Sequence, residues 1–122
     1  AHTVTYANAG HCRPILVTPD GAEVPEHSDL ILGLEEDVSF SEVSLDLGPN
    51  AALVSYTDGL TEQHTDDGAM LGEDGVRDLV VEAYGTDDPL QALLDGTLAR
   101  SAADEFEDDL LVVWLQRMAE TA

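Results

Sequence analysis

Ala52-Leu53-Val54-Ser55-Tyr56-Thr57-Asp58-Gly59-Leu60-Thr61-Glu62 joins two kinds of sequence end to end. Residues 52–56 are apolar except at Ser55 and rich in strand formers, which suits a largely buried strand. Asp58-Gly59 then breaks the run. The mirror image occurs near the other end of the chain, where Asp108-Asp109 immediately precede the apolar run Leu110-Leu111-Val112-Val113-Trp114-Leu115. Carboxylates at strand ends can converge at one edge of a sheet. They are hard oxygen donors, suited to Mg²⁺ or Mn²⁺. Gly59 would let the backbone approach an ion closely. Asp-Gly after a strand is equally a common turn, and Asp-Asp before one a common solvated loop end. Spacing alone leaves both readings open.

Outward from this stretch, the N-terminal side reads as strands. Thr3-Val4-Thr5-Tyr6 and Ile15-Leu16-Val17-Thr18 are short β-forming runs. Pro19-Asp20-Gly21 is a hairpin turn leading to a return strand at Ala22-Glu23-Val24. Phe40 to Leu47 alternates apolar and polar with period two, the mark of a half-buried strand. The C-terminal side changes period. Val76, Leu79, Val80 and Ala83 predict a helix over 72–84, with Gly85 placed to end it. Pro89 can open a second helix whose apolar face is Leu90, Leu93, Leu94 and Leu98. Residues 103–109 form an acidic loop before the last strand. Strands, then helices, then a strand predict an α+β fold, not a parallel α/β sheet.

The 122 residues suffice for one ordinary domain. There are 26 acidic residues against four arginines and no lysine, for a net charge of -22. Such a surface repels phosphate backbones and anionic lipid, so no nucleic-acid or membrane role is expected. No apolar run nears the roughly 18 residues of a membrane span. Cys12 is the sole cysteine, which excludes an intramolecular disulfide and gives no support to a thiolate zinc site. These features fit a cytoplasmic location. The acidic stretch Thr65-Asp66-Asp67-Gly68 through Glu73-Asp74-Gly75 lacks the Asp-x-Asp-x-Asp-Gly spacing of an EF-hand in every register.

Four segments, in order, carry a family resemblance. Tyr6-Ala7-Asn8-Ala9-Gly10-His11 followed by Pro14 resembles the Asn-Ala-Gly-His-Pro segment of the SpoIIE-like bacterial branch of the PPM (PP2C-type) phosphatases. Leu32-Gly33-Leu34 matches a shorter landmark. Ser55 to Glu62 resembles their Tyr-Thr-Asp-Gly-(Leu/Val)-Thr-Glu motif, and Glu107-Asp108-Asp109-Leu110 to Val113 their closing Asp-Asp-x-Thr segment and final strand. Each is weak alone; together they cover essentially the whole chain.

The resemblance implies a β-sandwich of antiparallel sheets flanked by helices, present here as a partial domain, with residues 1–122 as its C-terminal portion. It implies hydrolysis of phosphoserine or phosphothreonine by a metal-activated water, with two Mn²⁺ or Mg²⁺ ions in the complete domain. Asp58 and Asp108 correspond to metal-binding carboxylates, Asp109 to a further metal-site residue, and Gly59, Asn8 and His11 to site-shaping positions. The implied partners are a phosphoprotein substrate, such as an anti-sigma factor antagonist, the upstream half of the domain, and upstream sensor domains.

Two departures stand out. The family's upstream Gly-Asp-x-x-Asp metal motif has no counterpart in residues 1–122, so this chain alone is expected to be inactive. Leu111 stands where the family has Thr. Both motivate an alternative, a non-catalytic PPM-like interaction module. Histidine at position 11 reads more simply as a loop-ordering residue than as a ligand. Arg13, one of few cations, is a candidate contact for a substrate phosphate. Unchanged KM in Arg13→Ala would refute that role.

Overall fold

The computed structural model describes residues 3–7, 12–24, 42–102 and 105–118. In chain order the elements are strands β1 (Thr3–Ala7), β2 (Ile15–Thr18), β3 (Gly21–Glu23), β4 (Glu42–Asp46) and β5 (Ala52–Tyr56), helices α1 (Asp58–Thr61), α2 (Gly72–Ala83) and α3 (Pro89–Arg100), and strand β6 (Val112–Gln116). All strand pairs are antiparallel: β1 pairs with β4, and a four-stranded sheet runs β3-β2-β5-β6. The expected α+β order holds. Residues 8, 11 and 32–34, which carry the first two resembling segments and the site-shaping positions Asn8 and His11, lie outside the described residues.

Alternation along the central strands sorts two cores. Ile15 and Val17 of β2 and Ala52, Val54 and Tyr56 of β5 face one way, onto Leu60, Val76, Leu79, Val80, Ala83 and Leu93 of the helices. Val112 and Trp114 of β6 pack against the same cluster. Leu16 and Leu53 face the other way, onto Leu47 and Ala51, with Leu45 of β4 packed against them. Helices therefore cover one face of the four-stranded sheet, and β4 reaches the other. Each fully buried Leu or Val contributes about 1.5–3 kcal/mol relative to exposure, so among the described residues the helix-side core is the larger stabilising cluster.

Local chemistry explains the boundaries. Asp88 caps α3 by accepting from the Gln91 N–H at 3.1 Å, and Pro89 opens the helix. Gly85, at φ +88, follows the end of α2 as the helical period predicts. The β2–β3 hairpin takes positive φ only at Gly21. Three expectations are adjusted. Ser55 is exposed, so β5 is not buried on both faces along its whole length. The last strand runs 112–116, since the Leu110–Leu111 end of the apolar run is the approach to the sheet. Asp58–Thr61 is a single helical turn and not only a bend. Val113 and Leu115 of β6 are half-exposed, on the face opposite the helices, and Leu111 just before the strand is more exposed still.

Candidate metal centre

The β5–β6 register places the acidic residues. Its last ladder pair is Tyr56 with Val112. The contact continues as the Thr57 N–H donates to the Leu111 carbonyl at 3.1 Å, while the Leu111 N–H donates to Thr57 Oγ1 at 3.0 Å. Asp58 leaves β5 at the end where Asp108 and Asp109 enter β6, and all three line one cavity of about 250 Å³ with Cys12, Tyr56, Thr57 and Gly59. The convergence expected of the two strand ends is present.

Gly59 closes the arrangement, for a reason other than access to an ion. A Cβ at this position would lie 2.2 Å from the Asp109 carbonyl oxygen. Only glycine lets the α1 turn sit against the 108–110 backbone. Asp109 donates its N–H to Asp108 Oδ1 at 2.7 Å, which fixes that carboxylate relative to the backbone.

Near these carboxylates, Cys12 and Glu73 carried no functional signal in the sequence, and Tyr56 entered only as part of the Tyr-Thr-Asp-Gly motif. Cys12 donates from Sγ to Asp58 Oδ1 at 2.9 Å. Burial, followed by the hydrogen bond to Asp58 and its charge, pushes this thiol up to about 12 from an ordinary 9.0. At neutral pH it is a protonated donor, not a nucleophile. The Tyr56 hydroxyl is buried and finds no hydrogen-bond partner among the described residues. Burial, then the nearby Cys12 and Glu73, raises its pKa further above the ordinary tyrosine value. Glu73 itself holds Arg13 at 2.7 Å, so Arg13 must leave an ion pair to meet a substrate phosphate.

A polar clamp lies behind the acidic turn. Gln63, 2% exposed, donates from Nε2 to Ser101 Oγ at 3.2 Å and to the Glu105 carbonyl at 3.1 Å. Its Oε1 accepts the Glu107 N–H at 3.0 Å. On the exposed rim, Glu107 accepts from the His64 N–H at 2.7 Å and approaches His64 Nδ1 at 2.9 Å. Those contacts, the backbone N–H first, hold the Glu107 carboxyl below its ordinary range.

The donors fit Mn²⁺ or Mg²⁺ in kind, being carboxylate oxygens around a cavity that Tyr56 also lines. In number they are incomplete. Among the described residues, no three His, Cys, Asp or Glu side chains form a metal-binding group.

A family model described as Stage II sporulation protein E (SpoIIE) matches residues 1–118. No curated protein matches the chain. Among solved structures, the chain is similar to the RsbU and RsbW domains of a Mycobacterium tuberculosis protein, with 29% identity and TM-score 0.77, covering 100% of this chain and 35% of that one. It is also similar to the Bacillus subtilis SpoIIE phosphatase domain, presoaked with Mn, at 17% identity and TM-score 0.71, covering 98% of this chain and 53% of that one. A third is a PPM Ser-Thr phosphatase of Mycobacterium smegmatis in complex with cacodylate, at 14% identity and TM-score 0.58, covering 94% and 56%. The chain thus spans about a third to about half the length of these structures. The match in fold supports the antiparallel sandwich with flanking helices.

Proposed function

Since this chain belongs to the Stage II sporulation protein E (SpoIIE) family, we propose that it forms the C-terminal portion of a PPM-type domain, and that the protein containing it hydrolyses phosphoserine or phosphothreonine on a protein substrate with Mn²⁺ or Mg²⁺. The observation that carries this reading is the shared cavity of Asp58, Asp108 and Asp109 at adjoining strand ends. Asp58 and Asp108 would hold the metal, with Asp109 beside them. Bound there, a divalent ion supplies charge neutralisation and an activated water. The chain's own residues set up the rest. Cys12 Sγ–H donates to Asp58 Oδ1, which holds that carboxylate in place beside the cavity. The Asp109 N–H orients Asp108. Glu62 and Glu73 line the adjoining cavity, so their charges oppose a phosphate dianion that enters without a cation, while Arg13 is held in its ion pair with Glu73.

The substrate class, a small bacterial regulatory protein such as an anti-sigma factor antagonist, follows from the family resemblance. So do upstream sensor domains, while the cysteine usage fits a cytoplasmic site of action. A solved relative comprises a PP2C phosphatase domain with a fragment of a regulatory domain, which agrees with that organisation. Among the described residues, no helix is long and apolar enough to cross a membrane.

The test is Mn²⁺ binding by calorimetry with Asp58→Asn and Asp108→Asn, followed by phosphopeptide hydrolysis by the full protein. Each substitution is expected to abolish binding and turnover. Wild-type Mn²⁺ affinity in both variants would overturn the assignment. A non-catalytic module is the second reading, favoured by Leu111, which stands 62% exposed where the family has Thr. Metal binding without phosphopeptide hydrolysis would select it.

A further inference from the structure

Four segments meet at Gln63. Its backbone N–H donates to the Leu60 carbonyl at 3.4 Å, and its carbonyl accepts the Leu71 N–H at 2.8 Å, tying the exit of α1 to the entry of α2. Its carboxamide reaches the end of α3 at Ser101 and the strand approach at Glu105 and Glu107. The orientation of that amide is forced by its partners. Ser101 Oγ already donates to the Thr97 carbonyl at 2.7 Å and can only accept from Gln63. The Glu105 carbonyl is an acceptor and the Glu107 N–H a donor, so neither can bond a reversed amide.

Other ties on the 105–111 segment differ in kind. The Thr57–Leu111 bonds continue the sheet at its base, and the His64–Glu107 pair is half-exposed on the rim, where ion pairs contribute little. Gln63 alone among these side chains is buried. It bonds residues 105 and 107, while Asp108 follows directly. A satisfied buried amide is hard to replace, because each abandoned partner is left unpaired.

We propose that Gln63 is a positioning residue for the metal centre, its buried carboxamide holding the segment that carries Asp108 and Asp109 against the turn that carries Asp58. This rests on the metal-site reading above. Gln63 touches neither metal nor substrate; it sets the separation of the two strand-end carboxylates.

The test uses the full protein with Gln63→Met, which keeps the volume and removes the hydrogen bonds. Mn²⁺ affinity is measured by calorimetry, and Mn²⁺-dependent hydrogen exchange is followed in peptides covering 56–62 and 105–111. Mn²⁺ is expected to protect both segments in the wild type. In Gln63→Met, affinity is expected to fall about 10- to 100-fold, the range seen for groups that orient metal ligands. Protection is expected to be lost at 105–111 and retained at 56–62. Wild-type affinity and protection at 105–111 overturn the proposal, even if the melting temperature drops, since that pattern is a structural role alone. Gln63→Glu is the second variant, should the first not fold. It keeps the acceptor for the Glu107 N–H and loses the donor to the Glu105 carbonyl, so its 105–111 segment is expected to lose protection as well. Wild-type behaviour there overturns the proposal equally. If Asp58→Asn and Asp108→Asn bind Mn²⁺ as the wild type does, the metal reading fails first and this inference falls with it. Loss of binding in those two with none in the Gln63 variants refutes Gln63 only.

Discussion

At the scale of single residues, Gly59 shows how an ordinary turn residue becomes a constraint. The atom a Cβ would strike is a backbone carbonyl, which cannot swing aside as a side-chain tip can. Gly59→Ala is therefore expected to push the 108–110 backbone off α1, at a cost of about 1–3 kcal/mol in unfolding free energy, with weaker Mn²⁺ binding. Urea denaturation and calorimetry check the two effects. Cys12 and Tyr56 give a second prediction. Both groups hold their protons more tightly when folded. Their stabilising contribution is full below the unfolded values, near 9 for Cys12, and is lost as pH rises towards about 12. Urea midpoints should fall across that alkaline window, and Cys12→Ala should flatten part of the fall. The same thiol should react with iodoacetamide more slowly in the folded chain than in urea.

At the scale of elements, α2 and α3 hold the sheet's covered face. Leu79 and Leu93 are fully buried between them and the strands, and Arg100 bonds both Glu82 oxygens, at 2.7 and 2.9 Å, across the helix pair. Leu93→Ala is expected to cost about 2–5 kcal/mol, read as a lower melting temperature. Arg100→Ala should cost well under that, because its ion pair is exposed. Elements with a strong period were legible in the sequence. Val76, Leu79, Val80 and Ala83 recur at helical spacing and all four are buried. The acidic strand ends were legible because strand and carboxylate adjoin in the sequence. What escaped is non-local. Cys12 acquires its role from Asp58, 46 residues away, and Gln63 from Glu107, 44 away. No local pattern announces either. Gln63 also sits in an acidic, polar stretch whose composition suggests solvent, yet its amide is buried because three partners elsewhere complete it.

At the scale of the whole molecule, the two faces of the four-stranded sheet differ. One lies under helices. The other meets β4 but leaves Val113 and Leu115 of β6, an edge strand among the described residues, half-exposed, with Leu111 and Met118 more so. An open apolar edge strand invites pairing and association. Residues 1–122 expressed alone are expected to self-associate and bind a hydrophobic dye. Val113→Thr with Leu115→Lys should suppress both without lowering the melting temperature by more than a few degrees. A monodisperse wild-type chain with no dye binding, followed by sedimentation and fluorescence, would contradict this. The net charge of -22 opposes association at low salt, so the effect should strengthen as salt screens the repulsion.

The pairing of Thr57 with Leu111 spans 54 residues of chain, which gives the acidic cavity a place in time as well as in space. A ribosome that has delivered Asp58 must add both helices before it reaches Asp108, a few seconds at ordinary rates of synthesis. The helix pair can form in that interval from near-neighbour contacts. The cavity cannot, because one wall has yet to be made. During translation the newborn β5 has an unpaired edge, and the carboxylate after it has no companion across the sheet, until the last strand arrives and closes both gaps at once.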